Sequence, residues 1–166
     1  MMKFKVYCDG ACSQGASQSG ADHIGGYAAL VKCEGGMTTK AVVGSENNTT
    51  NNRMEIMAAI EAFKMINRTT DEPSEVEVVS DSQYLVKGMN DWVKKWQKSN
   101  WKTASKKPVK NQDLWNWLVE LTTKHQVIFQ WTKGHSDCKE NQWCDKMAVA
   151  AIEKHRKEIS DARTSS

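Results

Sequence analysis

The sequence of 166 residues has no long apolar run and no leader-like beginning. No stretch approaches the roughly 18 consecutive apolar residues that indicate a membrane-spanning helix. The first residues, MMKFKVYCDG, alternate between apolar and polar side chains, whereas a secretory signal places an apolar core behind a charged start. We therefore expect a cytoplasmic protein with no membrane association, and its length is typical of a single domain with its own hydrophobic core.

Closely spaced cysteine pairs are also missing. The five cysteines are an odd number and form no Cys-x-x-Cys pair, which favours reduced thiols over a disulfide framework. His135, Cys138 and Cys144 are near one another in the sequence, but zinc ribbons and knuckles use a tight cysteine pair. We therefore expect no structural zinc site.

Acidic residues are scarce in one segment. Residues 87–110 contain eight lysines and a single acid, Asp91, so this segment carries +7 and leaves −4 on the rest of a chain whose total is +3. Trp92, Trp96 and Trp101 are interleaved with these lysines. Because lysines neutralise phosphates and indoles pack on sugars or bases, the pattern favours a nucleic-acid-binding segment. The alternative is a solvated helix face with Trp92 and Trp96 packed inward.

Alternation and β-branched runs predict five strands. The first covers Lys3–Asp9 and ends at that acid. The fourth covers a valine-rich stretch, 76–79, and runs into a second acid, Asp81. The remaining strands are expected at Tyr27–Lys32, Thr39–Val43 and Val127–Thr132.

The stretch Thr49–Phe63, TTNNRMEIMAAIEAF, predicts a helix with one apolar face. Asn51 and Asn52 are suited to N-caps, which puts Glu55 in the first turn. Taken alone, Glu55 is explained by capping, because Asn-x-x-Glu is related to the capping box and an anion suits the helix dipole there.

Further helices alternate with the later strands. Two helices are predicted at 82–89 and 91–98, with a break near Gly88. A third is expected to begin after a cap at Asn111, and a fourth to cover 141–159. Residues 101–110 are expected to form a polar loop. Three antiparallel strands followed by alternating helices and strands imply an α/β fold. We therefore predict a five-stranded mixed sheet, with three antiparallel strands and then two parallel ones, flanked by helices.

Four acids occupy positions that can meet at one rim of such a sheet. Asp9 and Asp81 follow strands, while Glu55 and Asp145 are near helix starts, and in α/β sheets these ends gather where ligands bind. Each acid also has an ordinary alternative role at a turn, a cap or a helix start. Converging carboxylates repel one another unless a cation holds them, and oxygen-only ligands select Mg²⁺ or Mn²⁺. The positions therefore suggest a two-ion site for phosphodiester hydrolysis.

His135 lies in Lys-Gly-His-Ser, on a glycine-flanked loop between the last strand and the last helix. A loop histidine is most often an ordinary surface residue. Beside a metal site it is a candidate proton carrier, because the ordinary pKa of histidine is near neutral.

Five motifs occur in order between Phe4 and Ile152: TTNNRMEIMAAI, SDSQY, WKTASKKPVKNQDLW, KGHSD and ENQWCDKMA. Together they resemble type 1 ribonuclease H, in the bacterial form that carries a basic protrusion. The resemblance implies a ribonuclease H-like fold with one catalytic domain over residues 1–160 and a basic protrusion at 90–110. The last residues, 161–166, are expected to be a frayed tail because they are terminal. It also implies an endonuclease that cuts the RNA strand of RNA/DNA hybrids and leaves 5′-phosphate and 3′-hydroxyl ends.

The resemblance assigns roles residue by residue. The family's metal-binding carboxylates, which hold two Mg²⁺ ions with substrate and accept Mn²⁺ as a substitute, match Asp9, Glu55, Asp81 and Asp145. His135 matches the loop histidine that assists proton transfer and product departure. The implied substrate-binding residues are Thr50 and Asn111 for a DNA phosphate, Asn51, Asn52 and Gln83 for the minor groove, and Trp92, Lys94, Lys95, Trp96, Lys98, Trp101, Lys106 and Lys107 in the protrusion.

One loop departs from the family pattern. After Asp-Gly-Ala-Cys the family usually has a short turn with Asn-Pro, whereas this chain has SQGASQSGADHIGG, so that loop's minor-groove contact is not carried over. Two alternatives stay open. One is a nucleic-acid-binding module without turnover, which intact acids at all four positions argue against, and the other is a DNA-cutting integrase or resolvase of the same fold. We expect a monomer with no obligate protein partner.

Overall fold

A five-stranded mixed sheet forms the centre of the computed structural model, which describes residues 1–13, 23–36, 38–134 and 137–164. The strands are β1 Lys3–Cys12, β2 Ile24–Cys33, β3 Thr39–Asn47, β4 Glu75–Ser80 and β5 Gln126–Trp131. Their order across the sheet is β3-β2-β1-β4-β5. The first three strands are antiparallel neighbours, and the last two run parallel to β1. This arrangement confirms the predicted sheet.

The first three strands are longer than the sequence predicts. β1 continues past Asp9 because its pairing with β2 extends to Cys12, opposite Gly25. Its pairing with β4 stops earlier, at Tyr7 opposite Val79. Asp9 is therefore inside a strand and not at its end, but it lies just beyond the part of β1 that β4 covers.

Helices cover both faces of the sheet. Their bounds are α1 Asn51–Thr69, α2 Gln83–Lys87, α3 Val93–Lys98, α4 Gln112–Thr122 and α5 Lys139–Thr164, and a π-helical turn, Gly88–Trp92, joins α2 to α3. The main core lies between one face, α1 and α4, and includes the fully buried side chains of Ile56, Phe63 and Trp115. A smaller core forms where α5 packs on the opposite face through Cys144 and Ala148.

The helical segment after β4 continues through Gly88, where the sequence predicts a break. The two α-helices and the π turn between them follow one another without interruption. Gly88 is buried against the indole of Trp115, and a Cβ at Gly88 would lie 2.7 Å from Trp115 Cζ2. Glycine is needed here for close packing against α4, and not for ending a helix.

The last helix is longer than predicted at both ends. α5 covers Lys139–Thr164, so residues 161–164 are helical where the sequence predicts a frayed tail. Their side chains are exposed, so this final turn depends on backbone hydrogen bonds and not on packing. No helix among the described residues is long and apolar enough to cross a membrane.

A buried histidine joins the ends of three elements. His125 Nδ1 accepts a hydrogen bond from the Ser74 N–H at 3.0 Å, so the proton of the neutral ring is on Nε2, which lies 2.6 Å from Asn67 Oδ1. Burial, with a further contribution from Lys124, lowers the pKa of His125 from its usual 6.5. The fold therefore holds this ring in its neutral form.

Candidate active site

Three carboxylates meet at one end of the sheet. Asp9, Glu55 and Asp81 each offer one oxygen, and these oxygens lie within 4.8 Å of one another. Asp9 belongs to β1, Asp81 directly follows β4, and Glu55 projects from α1. Asp9 and Glu55 are buried, and Asp81 is half-buried. The elements that the sequence places at one rim thus bring these side chains together.

Gly10 explains how Glu55 comes close to Asp9. A Cβ at Gly10 would lie 2.5 Å from the Glu55 backbone nitrogen, and nearer still to the Met54 carbonyl carbon. Cβ atoms essentially never approach backbone so closely, so α1 can rest directly on β1 only because this residue is glycine. The Asp9-Gly10 pair is therefore not a turn but the place where a helix touches a strand.

The start of α1 contradicts the capping interpretation of Glu55. Thr50 is the N-cap, and its hydroxyl accepts a hydrogen bond from the Arg53 N–H at 3.2 Å. Asn51 and Asn52, the predicted N-caps, are the first two helical residues instead. Glu55 therefore falls in the second turn, and only 4% of its surface is exposed. A buried acid at this position caps nothing.

Burial and mutual repulsion disfavour negative charge on these acids. Burial, with the nearby charge of Asp81, raises the pKa of Asp9 to about 7, although the Gly10 N–H donates to Asp9 Oδ1 at 2.9 Å. Burial, followed by the charges of Asp9 and Asp81, raises the pKa of Glu55 well above its usual range. Glu55 Oε2 is buried and has no hydrogen-bond partner among the described residues. An orphaned oxygen in an all-oxygen cluster fits a hard divalent cation, which would offset the repulsion.

Asp145 lies at the edge of the same opening. It is in the second turn of α5, it is exposed, and among the described residues it stands outside the cluster of three. Its charge nevertheless contributes to the raised pKa of Asp9. The structure therefore brings three of the predicted ligands together and leaves the fourth on the wall of an adjoining cavity. This cavity of about 410 Å³ is lined by Asp81, Lys133, Gly134, Asn141, Gln142, Asp145, Lys146 and Val149.

The residue that caps α2 is Ser82, not Asp81. Ser82 Oγ accepts a hydrogen bond from the Leu85 N–H at 3.1 Å, so the capping alternative for Asp81 is wrong. The indole N–H of Trp131 donates to the backbone carbonyl of Asp81 at 3.1 Å. This bond ties the turn that carries Asp81 to the end of β5.

The predicted proton carrier, His135, lies outside the described residues. The residue before it is held close to the site, because Gly134 lines the 410 Å³ cavity and a Cβ there would lie 3.2 Å from Asp81 Oδ2. The role of His135 in proton transfer stays a prediction.

A second cavity, of about 420 Å³, gathers residues that the resemblance assigns to substrate binding. It lies between the start of α1, the α2–α3 segment and the loop 101–110. The other residues assigned to the phosphate and the minor groove, Thr50, Asn51 and Gln83, are exposed at the starts of α1 and α2. Their contact with a substrate stays a prediction. Five assigned residues line the cavity: Asn52, Trp92, Trp96, Lys107 and Asn111.

The tryptophans of the basic segment pack on one another and on aromatic residues outside the segment. Ring centroids lie 6.0 Å apart for Trp92 and Trp96 and 6.0 Å apart for Trp96 and Trp101. Trp96 also lies 5.9 Å from the buried Trp115, so inward packing, the alternative for this segment, is correct in part. All eight lysines of residues 87–110 are exposed, including the assigned 94, 95, 98, 106 and 107. The indoles therefore fix the segment to the core, while the lysines present charge to solvent.

Asn111 is held by residues that the sequence patterns did not single out. Its backbone is left-handed, with φ 61°, and its side chain makes no helix cap, although the sequence predicts one. Asn111 Oδ1 accepts a hydrogen bond from Arg53 Nη1 at 3.2 Å, and Nδ2 donates to the Tyr84 hydroxyl at 3.0 Å. Arg53 also donates to both carboxylate oxygens of Asp113, at 3.0 and 2.8 Å. A partner 60 residues away leaves no local signal in the sequence.

Two solved structures with the same fold are ribonucleases H. A type 1 RNase H with the type 2 active-site motif matches with a TM-score of 0.79 at 33% identity, over 92% of this chain and 72% of that chain. An RNase H solved in complex with an RNA/DNA hybrid matches with a TM-score of 0.66 at 20% identity, over 92% of this chain and 98% of that chain. The second likeness shows the fold alone. The sheet and its helices thus define a ribonuclease H-like protein.

The amino-acid sequence makes the assignment specific. The family model described as RNase H matches residues 1–153. Ribonuclease H of Chlorobaculum parvum is 50% identical over 148 residues, which cover 89% of this chain and 93% of that protein. Ribonuclease H of Pelobacter propionicus is 44% identical over 152 residues, which cover 92% of this chain and 86% of that protein. This chain belongs to the ribonuclease H family, which confirms the predicted family and fold.

Proposed function

We propose that this chain is an endonuclease that hydrolyses the RNA strand of RNA/DNA hybrids and leaves 5′-phosphate and 3′-hydroxyl ends. The observation that carries the proposal is the meeting of Asp9, Glu55 and Asp81 within 4.8 Å. Family membership and the relatives named ribonuclease H support it. The enzyme would act in the cytoplasm, as a monomer without an obligate protein partner.

The donor set suits Mg²⁺, with Mn²⁺ as a substitute. The clustered ligands are all carboxylate oxygens, which are hard donors that prefer hard divalent ions. Asp9, Glu55 and Asp81 would hold two ions together with substrate, and Asp145 would complete the site from the wall of the adjoining cavity. Bound ions would supply Lewis-acid stabilisation of the attacking and leaving oxygens.

The chain's own residues hold the ligand oxygens in place before the reaction begins. Because Asp9 and Glu55 are buried, their oxygens are fixed by packing and need little reorganisation when charge develops on the phosphate. His135, on the loop next to Gly134, would carry a proton to the departing 3′ oxygen and assist product departure.

The DNA strand would be held by electrostatic and shape-dependent contacts. The exposed lysines of residues 87–110 would neutralise its phosphates, and Thr50 and Asn111 would bind one phosphate closely. Asn51, Asn52 and Gln83 would reach the minor groove, where 2′-hydroxyls identify the RNA strand. A deoxyribose strand deforms more readily into a phosphate pocket, which favours a hybrid over duplex RNA.

The test compares four labelled substrates of one sequence: the RNA/DNA hybrid, duplex DNA, duplex RNA and single-stranded RNA. With Mg²⁺ the protein should cut only the RNA of the hybrid, at internal positions, and chelation of the metal should stop it. The products should carry 5′-phosphates. Hybrid binding without any product would favour a binding module, and cleavage of duplex DNA would favour a DNA-cutting enzyme of the same fold.

A further inference from the structure

Two residues with no assigned role connect the residues proposed to bind a DNA phosphate. We infer that Arg53 and Tyr84 are positioning residues, which hold Thr50 and Asn111 in the geometry that binds one phosphate of the DNA strand. Thr50 and Asn111 are called the phosphate pocket below. The inference rests on the proposed function, because it concerns how that same substrate is held.

Arg53 contacts both residues of the phosphate pocket through different groups. Its backbone N–H donates to Thr50 Oγ1 at 3.2 Å, which leaves the hydroxyl proton of Thr50 available as a donor. Its guanidinium Nη1 donates to Asn111 Oδ1 at 3.2 Å, across a separation of 58 residues. Any residue other than proline would supply the backbone N–H for Thr50, so the arginine side chain acts on Asn111, which it links to the start of α1.

The ion pair with Asp113 keeps the Arg53 guanidinium in this orientation. Nη1 and Nη2 donate to the two carboxylate oxygens at 3.0 and 2.8 Å, a two-pronged geometry that fixes the plane of the guanidinium. Its charge is already paired with a carboxylate. Arg53 is therefore placed to orient Asn111, not to bind the phosphate itself.

Tyr84 fixes the other end of the Asn111 amide. Its hydroxyl accepts hydrogen bonds from Asn111 Nδ2 at 3.0 Å and from Trp115 Nε1 at 3.2 Å. Because a guanidinium can only donate, the amide oxygen must face Arg53 and the amide nitrogen must face Tyr84. Only one of the two Nδ2 protons is used by Tyr84, so the second remains available to a phosphate oxygen.

The surroundings of this amide suit an anion. Asn111 and Tyr84 line the 420 Å³ cavity together with Lys107 and Lys110, and no acid is among the described residues that line it. The backbone of Asn111 is left-handed, with φ 61° and ψ 25°, a conformation that asparagine adopts more often than most residues other than glycine. It is maintained here by a side chain that is hydrogen-bonded at both ends.

The test combines variants of the two positioning residues with neutral linkages in the DNA strand. Hybrids are prepared with one DNA phosphate at a time replaced by a methylphosphonate, and KM and kcat are measured with Mg²⁺. In the wild type one linkage should be sensitive, and its neutralisation should raise KM about tenfold through loss of charge-assisted hydrogen bonds.

Arg53→Lys keeps the charge but loses the two-pronged geometry, and Tyr84→Phe removes only the hydroxyl. Each should raise KM for the unmodified hybrid about tenfold, with a much smaller change in kcat. In each variant, a methylphosphonate at the sensitive linkage should then raise KM by less than about threefold further, because the phosphate contact that it removes is already weakened. A residue that acted only on folding would leave this coupling unchanged.

Lys64→Gln is the matched control. It also removes an ion pair of α1, the one to Glu61 at 3.1 Å, but lies about three helical turns beyond Arg53. In this control, the methylphosphonate at the sensitive linkage should raise KM as much as it does in the wild type. Full sensitivity in a folded Arg53→Lys or Tyr84→Phe variant would overturn the assignment of that residue, and if Arg53→Lys does not fold, Tyr84→Phe decides.

The outcomes for the inference and for the proposed function are distinct. A wild-type protein that cuts the hybrid but responds to no neutral DNA linkage would refute the inference and leave the function standing. A protein that cuts no hybrid under any condition would refute the function, and the inference with it.

Discussion

Gly10→Ala should separate the clustered carboxylates without removing any of them. The new Cβ would lie 2.5 Å from the Glu55 backbone nitrogen, whereas ordinary contacts begin at 3.4 Å, so α1 must move away from β1 by about 0.9 Å. The atoms in the way are backbone, which cannot rotate aside as a side chain can. The movement therefore carries Glu55 away from Asp9 and Asp81.

A movement of this size should affect activity far more than stability. A misplacement of about 1 Å at a reacting centre can lower a rate about hundredfold, so kcat on the hybrid should fall by about two orders of magnitude. Overpacking typically costs about 1–3 kcal/mol, which for a domain of this size is a fall in Tm of roughly 2–12 °C. The variant should therefore remain folded and lose most of its activity.

Gly36→Ala provides the matched control, because its nearest neighbour, Cys33 Cβ, would lie 3.6 Å from the added Cβ. Both variants are compared with the wild type by thermal melting and by kcat at saturating hybrid and Mg²⁺. The control should keep its kcat. If Gly10→Ala melts cooperatively and keeps kcat within about threefold of wild type, the contact of α1 with β1 does not determine the position of Glu55.

Three further predictions concern a ligand, the basic segment and the buried histidine. Asp81→Asn should lower kcat more than about a hundredfold in Mg²⁺ titrations, because a lost ligand charge weakens stabilisation of the transition state; activity within about tenfold of wild type would contradict the metal assignment. Replacing Lys94, Lys95 and Lys98 with glutamine should raise KM and reduce the slope of log affinity against log salt concentration by about 2–3. The slope is measured from hybrid binding at increasing KCl concentrations. An unchanged slope would show that these lysines do not contact the substrate. The folded-state pKa of His125 lies below its usual 6.5, so the neutral ring stabilises the fold above that pH and the contribution is lost as the pH falls below it. The gap in unfolding free energy between wild type and His125→Gln, from urea titrations, should therefore narrow below pH 6.5, and a gap independent of pH would show that the ring is not held neutral.

Short-range patterns predicted the type of each main element better than its ends. The alternation of Phe4, Val6 and Cys8 on one side of β1 predicts a strand, and the same three side chains are buried in the main core. The continuation of that strand to Cys12 depends on pairing with β2, which involves residues far away in the sequence. A local pattern contains no information about that partner.

The candidate site was predictable where a residue's position in its element was sufficient. Asp9 and Asp81 could be recognised as acids that follow apolar stretches of strand, although β1 continues past Asp9. The sequence pattern predicts Glu55 in the first turn, whereas it lies in the second, because Thr50 and Asn51 are both suited to the N-cap and only the folded geometry decides between them. The close approach of the acids depends on Gly10, which packs against the backbone of a helix. In the sequence such a glycine cannot be distinguished from a glycine in a turn.

The start of α1 links the proposed binding of DNA to the proposed cutting of RNA. Thr50 and Glu55 are five residues apart, which at about 1.5 Å per residue separates them by about 7–8 Å along the helix axis. Thr50 is tied to Asn111 through Arg53, and Glu55 is fixed by the contact at Gly10. The helix therefore sets the spacing between the residues proposed to bind the DNA strand and the residues proposed to hold metal at the RNA strand. Gly10→Ala, which moves the whole helix, should change kcat and KM together, whereas Arg53→Lys, which loosens only the pocket, should act mainly on KM.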